Sequence, residues 1–261
     1  DKIYQTAHQL LAQRAGGWPL TVFLTPDDQA PFFAGTYFPP QARHGLPAFR
    51  DLLAQVERAY RDQREAIVEQ NRALRDALAR IDAAPPAGEL NDTPIATALD
   101  QLAEQFDARH GGFGGAPKFP HPSTLRFLLR HGTRHDDAAA MHMARFTLEK
   151  MAEGGIQDHL AGGFCRYSVD GQWMIPHFEK MAYNNALLIQ TYLSAGVRWQ
   201  RQDYLDTAKM TLNYLKTHLY NPQTQLYLGS QSAIDQNNHE GGDYLWNKLQ
   251  LQAKLTDSEF N

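Results

Sequence analysis

Cysteine is almost missing from this sequence: Cys165 is the single one among 261 residues. That excludes an intramolecular disulfide framework and a cysteine-rich zinc site, and it suits a reducing, cytoplasmic compartment. An excess of positive charge is missing too. With 25 Lys and Arg against 29 Asp and Glu, the net charge of −4 leaves no basic footprint for nucleic acid or an anionic membrane. No apolar run approaches the roughly 20 residues that a membrane helix needs. The chain opens Asp1-Lys2-Ile3 rather than with Met, so a targeting segment would lie outside these residues. No cofactor or metal is expected. His131 and His135 sit four apart, but no further ligand stands at suitable spacing, which reads as a solvent-facing pair.

What is present exceeds the needs of one small core, so two units are expected. A helical apolar pattern over 3–14 stops at Gly16-Gly17. Two β-rich runs follow, Trp18 to Leu24 and Pro31 to Phe38, separated by the turn residues Pro26-Asp27-Asp28-Gln29, which predicts a hairpin. From Pro47 to Ile81 the sequence reads as one long charged helix with Leu52, Val56, Tyr60, Ile67 and Leu74 along a face. Ala83-Ala84-Pro85-Pro86-Ala87-Gly88 reads as a linker, which divides the chain into 1–84 and 85–261.

Helices dominate the second part, at about 93–107, 122–133, 136–153, 177–197, 201–219 and 242–254. Between pairs of them lie loops that resemble each other: Gly111-Gly112-Phe113-Gly114-Gly115, Gly162-Gly163-Phe164-Cys165-Arg166-Tyr167 and Gln225-Leu226-Tyr227-Leu228-Gly229-Ser230. This is a degenerate repeat, one loop per helical hairpin, whose units stack to share a core. About three hairpins can be counted, too few for a ring of six.

Two long stretches, Gly16 to Pro26 continued through Gly35 to Pro40, and Gly162 to Asn185, join the segment GGFGGAPKFP at Gly111–Pro120. Together they resemble the YyaL-like family, whose animal members are the spermatogenesis-associated thioredoxin-domain proteins. The resemblance implies an α+β thioredoxin-like remnant, a β-hairpin plus helices, followed by a mainly α, partial (α/α) toroid of the six-hairpin-glycosidase type. It implies that Pro19 is the structural cis-proline of the thioredoxin part. It also places Asp1 after the family's Cys-x-x-Cys region and Asn261 before the end of the toroid, so no thiol redox activity is expected from this chain alone. Cys165 stands where His is expected, and Asn184 where Asp is expected.

Pro176 restrains the residue before it and predicts a helix opening at His177. On that helix Glu179 and Tyr183 share a face, and His177, Lys180 and Asn184 line another. Arg166, Tyr167, Asp170 and Trp173 precede it, and Lys118 stands in the first glycine loop. Such a set suits a sugar pocket. His177 and Glu179 would exchange protons, Trp173 would stack on a ring, and Arg166 would orient hydroxyl or carboxylate groups. The same residues also read as helix-capping and surface pairs of little energy. The glycine loop fits neither phosphate-binding fingerprint, and His177-x-Glu179 lacks the cysteines of a zinc deaminase. Cys165 beside Arg166 reads as an inert thiol whose pKa the arginine could lower. Asp158, His159 and Asp235 are weaker additions to the same loop face.

The expected function is an epimerase-like or hydrolase-like toroid that binds a carbohydrate or related small molecule, with no nucleic-acid or membrane partner. Two other readings stay open. The toroid could recruit clients for a thiol–disulfide protein, or be a non-catalytic interaction module with an unidentified protein partner.

Overall fold

The residues from Thr21 to Gly35 form the expected hairpin, β1 (Thr21–Leu24) pairing antiparallel with β2 (Pro31–Gly35). The structure, a computed structural model, describes residues 2–14, 16–43, 45–83, 88 and 90–260. It divides into two compact units, Asp1–Leu90 and Asn91–Asn261. Of the expected linker, residues 84–87 lie outside the described residues.

The first unit is α+β. Helices α1 (Lys2–Ala12), α2 (Phe49–Asp62) and α3 (Arg64–Asp82) accompany the hairpin. The single helix expected over 47–81 is in fact two, broken at Gln63, which adopts φ −121° and ψ 34°. The break re-aims the chain. Leu52 and Val56 are buried from α2, whereas α3 buries Ile67, Asn71 and Leu74. The Asn71 Nδ2 donates to Thr25 Oγ1 at 3.3 Å, tying α3 to the hairpin turn.

The second unit is a run of helical hairpins, as a partial (α/α) toroid requires. Helix α4 (Thr93–Gln105) is followed by α5 (Pro122–His135) paired with α6 (Ala138–Glu153). Helix α7 (Ala182–Trp199) pairs with α8 (Gln202–Tyr214), which runs into a π turn at Leu215–Leu219. Helices α9 (Lys248–Gln252) and α10 (Asp257–Phe260) are short, where one helix over 242–254 was expected. Both tight corners end in a left-handed residue, Asp136 at φ 52° and Gln200 at φ 53°. Four residues before each stands a glycine, and a Cβ there would strike Met141 or Leu205 of the partner helix. The shared core includes Leu125, Leu128, Leu148 and Met151, all fully buried. Each contributes about 1.5–3 kcal/mol. Tyr192 closes it, its hydroxyl donating to Leu148 O at 2.9 Å.

The repeat seen in the loops holds at atomic level. In the first loop Asp107 Oδ1 accepts from Arg109 N and His110 N, both at 2.9 Å. In the second, Asp158 Oδ1 accepts from Leu160 N and Ala161 N, both at 2.9 Å. The other oxygen of each carboxylate takes a buried lysine: Lys118 at 2.5 Å and Lys180 at 2.8 Å. Each ammonium also donates to a glycine carbonyl, Gly111 at 2.8 Å and Gly162 at 2.9 Å. The third loop keeps the turn, with Asn221 Oδ1 accepting from Gln223 N at 2.9 Å and Tyr220 facing Tyr227.

The glycines after each aspartate are left-handed, and Gly112, at φ +83°, is also crowded. A Cβ there would lie 2.5 Å from Trp173 Cζ2 and 3.2 Å from Lys118 Cδ. Gly112→Ala should therefore destabilise the helical unit by roughly 2–4 kcal/mol, combining backbone strain with overpacking. Urea unfolding followed by tryptophan fluorescence reads this directly, and an unchanged midpoint would refute the packing argument.

Candidate functional site

Residues 176–181 are extended, not helical, and this corrects the helix expected to open at His177. Strand β4 (Pro176–His177) pairs with β3 (Tyr167–Ser168), and β5 (Lys180–Met181) pairs with β8 (Ser230–Gln231). A third short hairpin joins β6 (Tyr220–Asn221) to β7 (Leu226–Tyr227). Helix α7 starts only at Ala182. The period of two replaces the helical spacing, so His177 and Glu179 share one side while Phe178 and Lys180 take the other.

On the first side four of the expected residues meet. The Arg166 Nη1 donates to Glu179 Oε2 at 2.9 Å, and Arg166 N donates to Glu179 O at 2.7 Å. The His177 ring stacks on Tyr167 at 4.8 Å and 15°, and Tyr167 in turn packs on Phe119 at 4.9 Å. His177 Nδ1 lies 2.9 Å from Glu240 Oε1. An ionised carboxylate can only accept, so Nδ1 carries the proton, and in the neutral ring Nε2 is left with its lone pair. Nε2 stands 3.9 Å from Glu179 Oε2, too far for a hydrogen bond. The Arg166 and Glu179 side chains are 42% and 23% exposed, so the pair adds at most about 1 kcal/mol to stability. Its geometry holds Glu179 ready beside the imidazole.

The other expected residues lie elsewhere. Lys180 is fully buried, with its Nζ 4.3 Å from the Tyr214 ring and 4.9 Å from Tyr244, and Phe178 stacks on Tyr244 at 5.3 Å. Lys118 is buried in its own loop, donating also to Gly171 O at 2.8 Å. Trp173 is fully buried, its Nε1 donating to His110 O at 2.9 Å, so its ring presents no face to solvent. Asp170 spends its carboxylate on the amides of Gln172, Met174 and Ile175, and Asp235 builds a similar turn with Asn237 and His239. Burial alone would push the Asp170 carboxyl up, but these amides hold it below its ordinary value. Asn184 is buried with no partner for Nδ2 among the described residues, and Tyr183 is 60% exposed. Glu240 and Phe119 were not singled out by the sequence. Phe119 lies within the GGFGGAPKFP motif, whereas nothing in the irregular stretch around Glu240 announced it.

Residues 1–79 match the family model Thioredox_DsbH, described as a protein of unknown function, DUF255. Spermatogenesis-associated protein 20 of Homo sapiens is 36% identical over 271 residues, covering 98% of this chain and 34% of that protein. The Mus musculus protein of the same name is 37% identical over the same shares. The similarity to these proteins runs along almost the whole of this chain. It spans about a third of the length of these curated relatives. An uncharacterised Caenorhabditis elegans protein is 31% identical over 99% of this chain and 36% of its own. Among solved structures the chain is similar to a cellobiose 2-epimerase from Bacillus thermoamylovorans, with TM-score 0.46 and 20% identity over 53% of this chain and 40% of that one. A D-mannose isomerase gives TM-score 0.46 and 18% identity over 57% and 41%.

In this relative of spermatogenesis-associated protein 20 the Trp18–Pro19 and Ala116–Pro117 peptides are cis. The single thiol, Cys165, is buried within the core. Burial pushes it up to about 11, outweighing the nearby Lys180 ammonium. The lowering expected from Arg166 is not realised, because that guanidinium is turned to Glu179.

Proposed function

We propose that the helical unit binds a carbohydrate or related polyol and moves protons on it, with His177 and Glu179 as the acid–base pair. The observation that carries this reading is the clamped imidazole. Its Nδ1 is held by Glu240, its face is held by Tyr167, and its Nε2 is unbonded beside a carboxylate. A neutral imidazole oriented through one nitrogen presents the other as a base, and returns the proton as an acid. Arg166 orients Glu179 and has further N–H donors for a hydroxyl or carboxylate. Of the expected binding residues, Tyr167 forms the aromatic wall, joined by Phe119, while Lys118, Lys180, Trp173 and Asp170 act by holding the loops.

The match of residues 1–79 supports a second reading, in which the helical unit recruits a client for thiol–disulfide exchange. Thermal shift against a panel of mono- and disaccharides separates the two. A sugar at a hundredfold its Kd stabilises by about 2.7 kcal/mol, which is several degrees in a unit of this size. Arg166→Ala should remove at least half of that shift. If no sugar moves the melting temperature, the carbohydrate reading fails.

A further inference from the structure

A second feature of the helical unit is independent of that site. A groove of about 830 Å³ is bordered by α5 and α7 and lined by Arg126, Arg130, Arg134 and Arg198. Among the described residues no acidic side chain lines it. All four arginines are exposed, and none forms an ion pair among the described residues. Elsewhere in the same unit Arg145, Arg166 and Arg201 are all paired with carboxylates.

Arg126, Arg130 and Arg134 follow at successive turns of one helix face, where like charges repel. The negative C-terminal ends of α5 and α7 favour Arg134 and Arg198, which stand in the last turns. They do not account for Arg126 and Arg130. Four uncompensated guanidinium groups around one concavity, in a chain of net charge −4, form a focused positive potential.

We infer that this groove is a binding site for a small organic phosphate carrying at least two phosphoryl groups. Guanidinium forks match phosphate oxygens bidentately. The eight residue-to-residue rises from Arg126 to Arg134 span roughly 12 Å of helix, enough for more than one anionic group. The hydroxyls of Ser123, Thr133 and Ser194 add neutral donors, and Phe127 and Leu129 supply an apolar wall for the organic part. The volume falls within the range of small-molecule sites. The net charge of −4 on the chain disfavours a nucleic acid as the occupant.

The test is calorimetric titration of the full chain with inorganic tripolyphosphate at low salt. Submillimolar binding is expected, weakening at least tenfold when the salt is raised severalfold. Arg130→Ala/Arg198→Ala should weaken it at least tenfold while leaving the circular-dichroism melting curve unchanged, since both residues are exposed. Arg130→Lys/Arg198→Lys should recover only part, because an ammonium cannot fork. Absence of binding would overturn the inference, as would binding indifferent to the alanine pair. Equal binding of sulfate at matched ionic strength would reduce it to non-specific attraction. Tighter binding of a polyglutamate peptide would overturn it in favour of an acidic protein partner.

Discussion

Replacing Asp158 with Ala is expected to destabilise the helical unit by about 3–5 kcal/mol, the range for stranding one member of a buried ion pair. Lys180 is wholly inaccessible and Asp158 is 12% exposed. The ammonium has few alternatives: Asp158 Oδ2 at 2.8 Å, Gly162 O at 2.9 Å, and the faces of Tyr214 and Tyr244. Deleting the carboxylate leaves a cation in an aromatic pocket and removes the acceptor for two loop amides. Lys180→Met with Asp158→Ala should recover part of the loss, because the charge then disappears along with its partner. Urea midpoints of the single and double variants check this, and a single variant as stable as the parent would sink it. Acid should act on the same lock. Burial alone would raise the Asp158 carboxyl, but the Lys180 bond and the Ala161 and Leu160 amides hold it below its ordinary 3.8. Asp107 is lowered in the same way, by Lys118 and the amides of His110 and Arg109. A lowered carboxyl contributes stability that is fully present above its unfolded pKa and is lost as pH falls through the folded one. The parent should therefore weaken below about pH 4, and Asp158→Ala should lose less over that window.

The glycine-rich loops were legible because their residues are local. Each turn needs left-handed glycines at Gly111 and Gly112, or Gly162 and Gly163, and the sequence displays them. The lysines that lock those turns were visible but not their role, because Lys118 and Lys180 follow their aspartates at different separations. The hairpin at Thr21–Gly35 was legible from turn chemistry. The break at Gln63 was not, since no glycine or proline marks it and tertiary packing of Ile67 and Leu74 decides it. The stretch from His177 to Asn185 misled for a related reason. Its composition suits a helix, but Tyr167 and Ser230 supply strand partners that local propensity cannot register. The true partner of His177, Glu240, lies in the least regular segment of the chain. Arg166 and Glu179 come together as an ion pair, though not across a helix face.

On the proposed acid–base reading, His177→Ala is expected to lower sugar turnover by between about a hundredfold and ten-thousandfold, the usual contribution of a positioned proton-transfer group. Binding should change far less, because Arg166 and Tyr167 remain. Glu179→Gln should fall in the same range if the carboxylate is the second proton-transfer group. Glu240 is a positioning residue, and its effect should differ in kind. It holds the proton on Nδ1 at 2.9 Å. In Glu240→Gln an amide that either donates or accepts replaces a carboxylate that only accepts, so both imidazole tautomers become available. A loss nearer tenfold is expected. Nitrogen chemical shifts of the His177 ring give the tautomer without any substrate. A ring protonated on Nδ1 in the parent and mixed in Glu240→Gln supports the clamp. Unchanged shifts would remove Glu240 from the site, and full turnover in His177→Ala would remove the imidazole from the chemistry.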